Sequence, residues 1–266
     1  MRVVLFTAGV LLLLAAVSIP TRASADPWDM ARSIVRPFVL PGLLTALDDA
    51  AVRRDPGEMA ARLRVIAELW PEWTDGTVDA AWRHALELGR ESSDADQFAT
   101  RLWEAERWLA GAAEDRGSRR PEAAVDFLVA AGVILTIAAD QHPETETAYA
   151  TLTGRTASER AAELIERALA IANDPAIALH AGHAATRAIA GAIRRGDLAQ
   201  GEHVRNAAMS RFRALAGNDT AVRALHALER LPPLAELAVD PERVRAIAAD
   251  PDLAPIAEAF ASTTQR

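Results

Sequence analysis

Apolar residues recur along this chain at helical spacing, and almost nowhere do they alternate. Met59, Leu63, Ile66, Ala67 and Trp70 form one stripe, which begins after Asp55-Pro56, a capping acid followed by a proline at the first helical position. Val78, Ala81, Trp82, Ala85 and Leu88 form the next. Phe98, Leu102, Ala105, Leu109 and Ala112 form a third, and Ala161, Leu164, Ile165, Ala168 and Ala172 a fourth. Further helices are expected over 121–139, 175–195 and 197–216, with shorter ones over 220–230, 241–249 and 253–262. No window has the period-two pattern of a strand, so the expected class is all-α.

Two of these helices differ in kind. Residues 127–139 carry no charge, and 176–193 carry only Arg187. The first run is too short to cross a bilayer and reads as a core helix covered on most sides. Polar, turn-rich stretches at 114–120 and 140–155 are expected to be surface excursions.

The N-terminus follows another rule. Met1-Arg2 is a short positive start, residues 3–19 are apolar apart from Thr7, Gly9 and Ser18, and Pro20 is followed by Ala23-Ser24-Ala25. This is the pattern of a secretory signal peptide with cleavage before Asp26, so the expected location is periplasmic or secreted. The domain plan is a signal peptide over 1–25, a helical repeat domain over 26–230 and short capping helices over 231–266, the break falling at Leu231-Pro232-Pro233-Leu234.

Composition narrows the function. The chain has no Cys, so packing alone must hold it. All 29 basic residues are Arg. Without Arg2 and Arg22 the chain has 27 basic against 37 acidic residues, a net charge of −10. An acidic chain with no basic block is a poor binder of nucleic acid and of anionic lipid.

A repeated plan is visible. In both "AELWPEWTDGTVDAAW" and "LAIANDPAIALHAGHAA" a helix ends in Pro, and a small pair follows about ten residues later: Ala80-Ala81 after Pro71, Ala184-Ala185 after Pro175. Small residues at a fixed depth let helices approach closely. Arg194 to Leu198 then makes a tight turn into a helix with small positions at Gly201 and Ala208. The plan resembles the tetratricopeptide repeat (TPR) family, a helix–turn–helix unit, over roughly 55–90 and 160–216, with 91–155 as a degenerate repeat. The stretch 61–89, followed by 101–117, is also similar to a group of exported bacterial TPR-like proteins, mostly of unassigned function. The resemblance implies a degenerate helical-hairpin array, an α-solenoid, whose first helices (75–89, 121–139 and 176–195) line a face for a peptide or protein. Trp70 and Trp73 would flank a junction between repeats, with Trp82 packed behind.

Candidate chemistry is sparse. His180 and His183, three apart on one helix face, could hold a metal or cofactor, with His203 joining from the following helix. There is no HExxH, no CxxCH, no GxSxG and no phosphate-binding glycine loop. Glu104, between Trp103 and Trp108, could serve as an acid in an exported hydrolase, although pairing with Arg107 one turn on is the simpler reading. Exposed Arg83 and Arg187 are the kind of residue that contacts an acidic partner. The expected function is a protein- or peptide-binding scaffold without catalysis, metal or cofactor. A metal- or cofactor-binding protein using His180 and His183 is the alternative.

Overall fold

The computed structural model describes residues 27–53, 55–70, 74–87, 89, 94–116 and 120–239. The expected signal peptide, Trp73 and the helices expected over 241–249 and 253–262 lie outside the described residues. Among the described residues there is no strand. The helices are α1 (Pro27–Arg53), α2 (Pro56–Leu69), α3 (Thr74–Trp82), α4 (Ala95–Arg116), α5 (Pro121–Gln141), α6 (Glu144–Thr153), α7 (Ala157–Ile171), α8 (Pro175–Arg195), α9 (Leu198–Ala214), α10 (Asp219–Arg230) and α11 (Leu234–Val239). A π-helical turn, Arg83–Glu87, continues α3.

Local chemistry sets the boundaries. The Asp55 carboxylate accepts the N–H of Glu58 at 3.0 Å and starts α2. Thr156 and Glu159 form a reciprocal capping box at α7. Asp174, Asp197 and Asn218 cap α8, α9 and α10 by accepting first-turn N–H groups on their side chains. Gly196 closes α8 at φ 78°, a conformation that costs a glycine little.

The helices form two layers. In one, α3 touches α5, α5 touches α8, and α8 touches α10. In the other, α7 touches α9, and α6 lies against both α4 and α7. The most extensive contacts run between the layers: α5 on α7, α4 on α5 and α8 on α9. The uncharged run 127–139 is the centre of α5, and its Phe127, Leu128, Ile134, Leu135 and Ala138 are buried. By length and composition α5 could cross a membrane, but 72% of its apolar window is covered by neighbouring helices, as a core helix requires.

Small residues do what their spacing suggested. Ala80, Ala81, Ala184 and Ala185 are all buried. A Cβ placed on Gly132 would sit 2.7 Å from Ile165, so this glycine is what lets α7 approach α5 so closely.

Two segments differ from expectation. The stretch 140–155 is not a loop but contains α6, whose Tyr149 is fully buried. Residues 27–53, for which periodicity gave no helix, form the longest described helix despite Pro37 and Pro41 inside it. The break at 231–234 is held by Arg205. Its guanidinium donates to the carbonyls of Leu228 at 2.9 Å, Leu231 at 2.6 Å and Pro232 at 3.3 Å. A buried cation there satisfies the bare carbonyls at the end of α10 and complements the helix dipole.

Candidate functional site

The layer α3–α5–α8 presents a continuous outer stripe. On α5 it comprises the exposed Glu122 and the partly buried Asp126, Ala130, Val133 and Ile137, spaced as one helix face. On α8 the exposed positions are Ala176, His180, His183, Arg187 and Arg194, and on α3 they are Asp75 and Asp79. Acidic residues thus gather where α3 and α5 begin, an apolar stretch of α5 follows, and Arg187 lies further along α8.

Asp126 is the centre of the acidic end. His180 Nε2 stands 3.6 Å from its Oδ1. Partial burial holds the Asp126 carboxyl above the usual carboxylate range; His180 pulls it down, while Asp75 and Glu122 push it further up. Three carboxyls close enough to feel one another make a site that favours a cation.

The histidines do not converge. His180 turns to Asp126 on α5, whereas His203 on α9 meets Glu166 of α7 at 3.2 Å, in the other layer. Among the described residues no group of three or more His, Asp or Glu side chains is arranged to hold a metal. Arg83 is half-buried and engaged, with Glu87 at 3.1 Å and Asp79 at 3.9 Å, while Arg187 is exposed.

Glu104 has a partner that its sequence neighbourhood does not name. Its Oε2 lies 2.6 Å from Nε2 of His84, which stands on the π-helical turn. The His84 ring packs against Trp108 at 5.0 Å, tilted by 36°, and the Arg64 guanidinium lies 4.8 Å above that indole. Burial lowers the His84 pKa, and the bond to Glu104 opposes this without reversing it. The pairing of Glu104 with Arg107 does not occur in this arrangement, because Arg107 covers the Trp103 ring at 4.9 Å instead. The sequence signal for His84 was weak, since an extra residue in the turn rotates it out of the helical register.

A buried polar knot joins α4, α6 and α7. Glu106 is 6% exposed. Its Oε1 accepts from Arg160 Nη2 at 2.7 Å and Nε at 3.0 Å, and its Oε2 accepts from the Tyr149 hydroxyl at 3.1 Å. Arg160 also pairs with Glu163 at 2.9 Å. Burial favours the protonated Glu163 carboxyl, but hydrogen bonds and charge from Arg160 outweigh it and hold the pKa below the usual range. Burial, followed by the Glu106 charge, pushes the Tyr149 phenol well above its ordinary value. This knot ties three helices together.

Compared with known protein families, curated proteins and solved structures, the chain matches none.

Proposed function

We propose that this protein is an exported, TPR-like helical scaffold that binds a peptide or protein segment along the outer stripe of α3, α5 and α8. The observation that carries this reading is the packing of α5 between α3 and α8 in one layer. In helical-hairpin arrays the corresponding first helices line the binding surface. The stripe has the make-up of a segment-binding face: carboxyls at Asp75, Glu122 and Asp126, then the partly covered apolar residues Ala130, Val133 and Ile137. Its chemistry suits a segment with a basic residue next to apolar ones. The segment is recognised by charge at one end and by apolar contact along α5. Export rests on the apolar run 3–19 and on Ala23-Ser24-Ala25.

The test is selection of binding peptides from a random library, followed by titration against variants. Selected peptides should be rich in Arg or Lys beside apolar residues, and Asp126→Arg should weaken them at least tenfold. Peptides that bind Asp126→Arg and the parent equally would remove this reading.

A further inference from the structure

Helices α5 and α8 lie side by side in register. At one end His180 faces Asp126 at 3.6 Å. At the other, Arg194 and Arg195 both pair with Asp140, and a Cβ on Gly191 would sit 2.9 Å from the same carboxylate. Asp126 and His180, like Asp140 and Arg194, are 54 residues apart in sequence. A constant offset over about four turns means that the two helices run parallel and level with one another. The same offset sets Arg187 beside Val133, midway between the two polar pairs.

That middle position is unlike its neighbours. Asp126 and Asp140 each face a basic residue of α8, whereas Arg187 faces a valine. Arg187 is exposed and, among the described residues, has no hydrogen bond or ion pair. Val133 is only partly covered, as are Ala130 and Ile137 on the same face of α5. A carboxylate that met Arg187 over this apolar surface would be partly shielded from water, where a two-pronged guanidinium contact is strongest.

The geometry points to Arg187 as the residue that takes an acidic side chain of the bound segment, and to an amphipathic helix as the form of that segment. This rests on the binding face proposed above and adds a second charge contact to the one at Asp126. Arg187 stands seven residues beyond His180, and so about 10.5 Å along the stripe from Asp126. A helical segment matches this span. Its residues i and i+7 share one face about 10.5 Å apart, and i+3 and i+4 fall between them, over Ala130 and Val133. An extended segment does not match. It covers about 10 Å in three residues, and side chains at i and i+3 point to opposite faces. The occupant is therefore a helix with Arg or Lys at Asp126, apolar residues one turn away, and Asp or Glu two turns away at Arg187.

The probe is the tightest peptide selected from the random library. It should carry an acid seven residues from its Arg or Lys and should gain helical circular dichroism on binding. Arg187→Glu should weaken it at least tenfold while keeping the helicity and Tm of the parent, because the side chain is exposed and unpaired. Changing the peptide's acid to Lys should cost the parent as much and restore most of the affinity of Arg187→Glu. A peptide weakened by Asp126→Arg but bound equally by Arg187→Glu would overturn this inference and leave the binding face standing. Undiminished affinity with Pro midway between the two peptide charges would do the same, since Pro breaks a helix there. A peptide indifferent to Asp126→Arg as well would overturn both.

Discussion

Glu106 on α4 and Arg160 on α7 stand far apart in sequence, yet one carboxylate oxygen of Glu106 takes both the Nε and Nη2 protons of Arg160. The other oxygen takes the Tyr149 hydroxyl from α6. One buried acid therefore fixes the place of three helices. Removing it strands a guanidinium that is 23% exposed. Glu106→Ala should lower the unfolding free energy by about 3 kcal/mol, the lower end of the cost of breaking a buried pair, because Glu163 still faces Arg160. Urea denaturation with an unchanged slope measures this.

Tyr149 is the chain's only tyrosine, so its titration can be read without interference from others. Its pKa in the folded protein is raised. Its neutral form is favoured by folding, so this stability is present below the unfolded value of about 10 and is lost as pH rises above it. Tyrosinate absorbance should therefore be absent where free tyrosine ionises and should appear together with loss of helical circular dichroism. Ionisation at an ordinary pKa with the helices intact would contradict the buried hydroxyl.

His84 gives the opposite sign. Its folded pKa is lowered, so the protein gives up stability as pH falls from the unfolded value of about 6.5 through the folded one. The imidazole lies against Trp108, and imidazolium quenches indole emission. The emission lost in Trp108→Phe should titrate below pH 6.5 in the parent and stay flat in His84→Gln.

Arg205 is 9% exposed and serves the carbonyls at the end of α10. Arg205→Met should release 228–236 while sparing the α5–α7 core. Amide exchange in α10 and α11 should accelerate by at least tenfold, with protection in α5 unchanged. Equal acceleration in both regions would mean that this clamp is global.

Much of the helix plan was legible because packing and period agree. The stripe Leu63, Ile66 places buried side chains in α2, and Ala161, Leu164, Ile165 and Ala168 do so in α7. The segment 140–155 misled because α6 buries little more than Thr145 and Tyr149, one column too thin to show as a stripe. Helix α1 was hidden by Pro37 and Pro41 and by an apolar face turned outward. In the candidate site, Arg187 could be read as an exposed helix position and His180 as part of a helix face, but Asp126 could not be assigned to His180, since that pairing depends on how α5 and α8 pack. The Glu104–His84 contact was illegible for the same reason, with the π-helical turn adding a shift in register.

The measurement that bears most directly on the central claim is an amide-exchange footprint with a library-selected peptide bound. Protection should be gained along α3, α5 and α8 around Asp75, Asp126 and Arg187. It should be lost with Asp126→Arg and kept with Glu114→Arg, which lies on α4 in the other layer. Protection confined to α4, α7 or α9, or unaffected by Asp126→Arg, would contradict a binding face on the first helices.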